Sequence, residues 1–231
     1  MEINWESQVL SSVSKVIPKL SCLEIDIDKL HVVAAELSED SFSINYEGNT
    51  NTVPKEYIRK TMLINTLNFV FTDFLTSVKY KIENYSDTDA MVYQIDKALD
   101  QGIPLTQGRF MRDMNLKEFK TLFTGNIVMP MADEKVKILN NVGDILVTKY
   151  GGDWINFIDD GPKKLYDNGK GLVERLVRDF KRFDDHSIFE NEKVYFLKLA
   201  QLAFWGIHRE LSKRYFYIED MENMTAFADY I

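Results

Sequence analysis

Two stretches of this chain are apolar on nearly every side, and they are separated by amphipathic patterns and polar breaks. The first covers residues 55–80 and carries no charge from Thr61 to Thr72. The second covers residues 194–207, Val-Tyr-Phe-Leu-Lys-Leu-Ala-Gln-Leu-Ala-Phe-Trp-Gly-Ile, with Lys198 as its one charge. A helix apolar nearly all round is a buried helix, so both are expected as core helices. On the first, Asn65, Asn68 and Thr72 recur at steps of three and four and make a polar seam, which meets either another helix or a ligand. On the second, Val194, Lys198, Gln201, Trp205 and His208 share one face.

Amphipathic helices are expected around these two. Residues 4–17 place Val9, Leu10, Val13, Val16 and Ile17 on one side before Pro18. Asp26 or Asp28 caps a helix running to Leu37, and residues 38–54 read as a loop with a short extended piece at 42–46. Ser86 or Asp87 opens a helix that Gly102 stops. Asn115 and Glu118 form a capping box for a helix to Phe123, and 124–130 is a turn. Residues 132–149 put Val136, Leu139, Val142, Ile145 and Leu146 inside before Tyr150-Gly151-Gly152, and 171–183 do so with Leu172, Leu176, Val177 and Phe180. The expected fold class is mainly α: a single globular helical domain over 1–231 with about eight to ten helices. No βαβ alternation or glycine-rich phosphate loop is present, which excludes Rossmann and P-loop readings.

The chain has 231 residues, 45% of them hydrophobic and 13% aromatic, and a net charge of −8. That charge argues against nucleic acid as a partner, since phosphate backbones are bound by basic patches. Cys22 is the only cysteine, and His31, His186 and His208 lie far apart, so neither disulfides nor a metal site is expected, and no cofactor. The first residues lack a signal-peptide pattern, and no run reaches the ~18 apolar residues of a membrane span. The expectation is a cytoplasmic protein that acts on a small molecule, away from membranes.

Lys198 needs a partner, because a buried ammonium is costly unless paired or neutral. Asp229, the only charge in residues 224–231, is the candidate. Such a pair is either structural glue or a reaction centre. Lys198 with Gln201, Asp229 with Tyr230, Asn65 with Asn68, and the corner Gly151-Gly152-Asp153-Trp154 are polar features in apolar surroundings. Converged, they make a pocket for a flat, hydrogen-bonding ligand such as a nucleobase. A carboxylate beside a cation suits a reaction through an oxocarbenium-like state.

Leu67-Asn68-Phe69-Val70-Phe71, Ala98 to Leu105, Phe123 to Pro130 running into Glu134 to Asn140, Tyr150-Gly151-Gly152, Val194 to Gln201 and Met224 to Tyr230, in that order, resemble the queuosine salvage protein family. The resemblance is strongest over 55–230. It implies a fold similar to the helical DNA glycosylases, and an N-glycosidase that frees the base queuine from queuosine 5′-monophosphate, or from queuosine, for tRNA modification. It implies Lys198 and Asp229 as catalytic residues. Asn68, Asp153 and Tyr230 are candidates for contacting the base, Phe69 or Trp154 for stacking on it, and Gln201 for lining the site. The chain departs from the family at Leu199, where arginine is usual, and at Val70 and Thr72. It also stops at Ile231, where a further C-terminal segment is usual, so the sequence is that of either a short member or a piece of a longer protein. The alternative is a deazapurine-binding protein that lost catalysis.

Overall fold

The computed structural model describes residues 5–21, 24, 26–36, 51 and 53–225. Two apolar helices pack against each other at its centre: α3 (Pro54–Leu67) and α10 (Lys198–Leu211). They run antiparallel. The Tyr57 hydroxyl donates to Gly206 O at 3.5 Å and senses Arg209 and Glu210, while Thr61 lies beside Gly206. The end of α3 therefore meets the beginning of α10.

The other described α-helices are α1 (Trp5–Val16), α2 (Ile27–Glu36), α4 (Asp87–Asp100), α5 (Gly108–Asp113), α6 (Leu116–Leu122), α7 (Ala132–Lys149), α8 (Trp154–Asp159) and α9 (Leu172–Asp179). Two small antiparallel hairpins complete the described residues: β1 (Lys81–Ile82) with β2 (Tyr85–Ser86), and β3 (His186–Phe189) with β4 (Glu192–Tyr195). The fold is mainly α. A contiguous apolar core runs from Val9 to Ile218. Among the described residues, no helix is long and apolar enough to cross a membrane.

Several local expectations hold. Asp26 Oδ1 accepts from Lys29 N at 2.9 Å, which makes Asp26 the cap of α2. Asn115 and Glu118 form the capping box of α6. Helix α7 crosses α5 so closely that a Cβ on Gly143 would lie 2.3 Å from Arg112 N, so only glycine fits there. The extended piece expected at 42–46 lies outside the described residues.

Three expectations are corrected. The helix expected over 55–80 stops at Leu67, and Phe74 and Leu75 stand 77% and 96% exposed on a turn closed by the Thr72–Lys79 bridge. Asn-Phe-Val-Phe-Thr, residues 68–72, is β-branched and aromatic, and it leaves the helix where tertiary contacts allow it to. The helix expected from Val194 begins only at Lys198, because Val194 and Tyr195 belong to β4 and Leu197 is left-handed at φ 50°. Val194 and Lys198 thus share no helical face. Leu10 on α1 and Ile17 on the 3₁₀ turn after it face out. Ser12 takes the inner position instead and accepts from Tyr195 N at 3.0 Å.

Candidate functional site

The last carbonyls of a helix have no partner inside it, and cations near its C-terminus are favoured. At the end of α3 the half-buried Arg182 supplies both needs, and the buried Lys135 reaches the two carbonyls just beyond it. Arg182, on a 3₁₀ turn after α9, donates from Nε to Thr66 O at 2.8 Å and from Nη2 to Asn68 O at 3.4 Å. Lys135 Nζ, from the second turn of α7, donates to Phe69 O and, at 3.3 Å, to Val70 O. The Phe69 ring lies close to both groups, 3.6 Å from Lys135 Nζ and 4.6 Å from Arg182 Cζ. Both distances fall in the cation–π range. The Asn68 side chain accepts from Thr88 Oγ1 at 3.0 Å. Lys135 is wholly buried, with no carboxylate in ion-pair range among the described residues. Burial, helped by the charge of Arg182 and opposed by Glu134, brings its ammonium down to about 7.

The same turn that carries Arg182 leads to the start of α10. Asp185 Oδ2 accepts from Lys198 N at 3.2 Å, while Asp185 O accepts from Phe196 N at 2.9 Å. A carboxylate at this N-terminus opposes the positive end of the helix dipole. Lys198 is half-buried at the first position of α10. One turn on, Gln201 is wholly buried and uses both ends of its amide. Its Oε1 accepts from Thr225 N at 2.8 Å, and its Nε2 donates to Thr225 Oγ1 at 2.9 Å. The chain leading to residues 226–231 is therefore tied to the first turn of α10. Asp229 and Tyr230 themselves lie outside the described residues.

The Gly-Gly-Asp-Trp corner is elsewhere. Gly151 and Gly152 take φ 60° and 87°, which lets α7 end and turn into α8. Asp153 caps α8 through Ile155 N at 2.9 Å and receives a forked bond from Arg59, with Nη2 at 2.6 Å from Oδ2. Burial raises the Asp153 carboxyl, but the Arg59 bonds, the Ile155 N–H and nearby positive charge outweigh it and hold the group low. The pair borders a cleft of 760 Å³ shared with Arg109, Gln107 and the 102–104 turn. Arg59 stands nine residues before Asn68 on α3, about 13 Å along the axis. Trp154 is fully buried, 4.8 Å from Phe180 and edge-on to Phe157 at 5.8 Å, so it stacks inside the core.

The structure thus places Asn68 and Phe69 at the exit of α3 and Lys198 and Gln201 in the first turn of α10, the helix packed against it. It places Asp153 towards the other end of α3 and Trp154 in the core. Lys135 and Arg182, which join the first group, were not expected. Lys135 falls on the inward line of α7 with Ala132, Leu139 and Val142, and a charge on an apolar face was the available signal. Arg182 carried no such mark. Among the described residues no cluster of three or more His, Cys, Asp or Glu could hold a metal ion.

Residues 48–231 match the profile of the family described as queuosine salvage protein. Proteins named queuosine 5′-phosphate N-glycosylase/hydrolase are similar to this chain. The Mus musculus protein is 29% identical over 177 residues, 73% of this chain and 51% of that protein. The Bos taurus protein is 26% identical over 204 residues, 84% of this chain and 58% of its own length. That of Sphaerobacter thermophilus is 23% identical over 227 residues, 96% of this chain and 69% of its own. The chain spans just over half the length of the two mammalian relatives it matches. With the profile matched over most of its residues, the chain belongs to the queuosine salvage protein family.

Proposed function

We propose that the chain is an N-glycosidase that hydrolyses the bond between base and ribose in queuosine 5′-monophosphate and releases queuine. The relatives' shared name supports the reaction class and the small-molecule substrate. The observation that carries the reading onto these residues is the tie between Gln201 and Thr225. Four residues reach at most roughly 14 Å, so the chain from Thr225 is long enough for Asp229 to reach Lys198 at the start of α10.

As the bond to the base breaks, C1′ of the sugar gains positive charge. The Asp229 carboxylate stabilises that charge and orients or deprotonates the attacking water. The Lys198 ammonium keeps Asp229 ionised. It also faces the ribose or the departing base. A 7-deazapurine has carbon in place of N7, so protonation there cannot assist departure. The leaving base must be stabilised through its other edges. Asn68 and Tyr230 are the hydrogen-bonding candidates and Phe69 the stacking one, with Gln201 acting as the strut for the catalytic segment. Asp153, bound to Arg59 about 13 Å away along α3, is not placed to contact a base at Asn68.

Chromatographic assay of base release from queuosine 5′-monophosphate and from queuosine tests this. Wild type is expected to release queuine, and Asp229→Asn to lose about 100-fold or more in rate. Binding without release by wild type would instead establish the deazapurine-binding alternative.

A further inference from the structure

The backbone leaving α3 is strained where the site begins. Val70 is β-branched yet sits at φ 44°, a region such residues avoid. Conformations of this kind persist only where the surroundings over-determine them. Here the surroundings are Lys135, whose Nζ bonds the carbonyls of Phe69 and Val70, on both sides of the strained residue's N–H and Cα. An apolar residue at 135 would complete the inner face of α7 with Ala132, Leu139 and Val142. What lysine adds is a pair of donors to two successive carbonyls, and a charge over the Phe69 ring.

We propose that Lys135 is a positioning residue for the reaction at the junction of α3 and α10. It holds the Asn68–Val70 exit in the conformation that presents the Asn68 amide and the Phe69 ring to the base. This rests on the N-glycosidase reading and adds to it a residue that touches no substrate. The holding form is the ammonium, because the neutral amine loses the attraction to the ring and the charge-assisted bonds. The charged groups acting on it are Arg182, from the turn after α9, and Glu134, on its own helix; the α3 exit contributes rings and carbonyls only. With the ammonium brought down to about 7, the exit loosens as pH rises through that value.

The test compares wild type, Lys135→Met and Lys135→Arg at pH 6 and pH 8.5. It uses the kinetics of base release from queuosine 5′-monophosphate and, without substrate, amide hydrogen exchange over residues 68–72. Lys135→Met is expected to raise KM about tenfold with kcat nearly unchanged, the pattern of lost uniform binding. Its exchange over 68–72 should be faster. Wild type should show the same loss at pH 8.5, and Lys135→Arg should not, since a guanidinium stays charged. Should Lys135→Met fail to fold, the arginine variant and the pH dependence of wild type still decide. Wild-type KM and exchange in Lys135→Met at both pH values would overturn the proposal alone. If wild type neither releases nor binds the nucleotide, it falls together with the function on which it rests, whatever the exchange shows.

Discussion

Gln201 is a side chain with every polar atom committed. Its oxygen takes the Thr225 N–H, and its nitrogen reaches Thr225 Oγ1 and, at 3.4 Å, Phe196 O. Replacing a buried amide by an apolar isostere strands its partners, at about 1–3 kcal/mol for a buried group left unpaired. Gln201→Leu is therefore expected to lose that much stability in urea titration. It should also release base more slowly than Thr225→Val, which keeps the backbone bond at 2.8 Å. Equal activity in the two would remove the strut role. Gln201 could be marked from sequence because it is polar within an apolar run next to Lys198. The partner it holds could not, since nothing in spacing says which distant hydroxyl a buried amide will find. Phe69 shows the same limit. Its aromatic ring suggested stacking on a ligand, and only three dimensions reveal the two cations that already use it.

At the scale of elements, the boundaries decide the site. The apolar runs at 55–80 and 194–207 were visible, but their periodicity does not say where a helix stops. Helix α3 ends where Arg182 takes the Thr66 carbonyl and Lys135 holds the carbonyls of Phe69 and Val70 just beyond it, and α10 starts late because β4 occupies 192–195. Where the signal was a local cap, as at Asn115 and Glu118, the expected boundary was right. The strained exit gives a prediction of unusual sign. Val→Gly within an extended segment normally destabilises, yet at φ 44° a valine stores about 1–3 kcal/mol that glycine does not. Val70→Gly is expected to leave the urea midpoint unchanged or raise it. A loss of more than about 1 kcal/mol would show that the strain is not there. At the start of α8, Asp153→Ala removes a cap and the Arg59 bond together. The cap is worth about 1 kcal/mol, and a pair this exposed adds little, so a loss of about 1–2 kcal/mol is expected on denaturation.

For the whole molecule, the perturbed groups push stability in one direction as pH rises to about 10. Asp153 and Asp179 are held low by their donors despite burial, so their contribution is present above the usual carboxylate range and fades below about pH 4. Burial lowers His208, whose Nδ1 accepts from Ile218 N at 3.0 Å, so its contribution is lost as pH falls below about 6.5. Lys135 acts at the other end. Folded, it gives up its proton near 7; unfolded, near the ordinary ~10.4. Between those values the unfolded chain binds a proton that the folded chain does not, and stability rises with pH. Above about pH 10 the trend reverses, because Tyr80 is pushed up to about 12 by burial and the unfolded tyrosine ionises first. Urea midpoints measured from pH 4 to 10 should therefore climb through neutrality to a maximum near pH 9–10, above the usual span of roughly 5–8. Lys135→Met should flatten the climb above pH 7 and leave the acid limb intact. A variant that keeps the alkaline climb would place its source in another group. A variant that flattens it while its KM for the nucleotide rises would show one lysine lowering the stability of the folded chain to hold its site in shape.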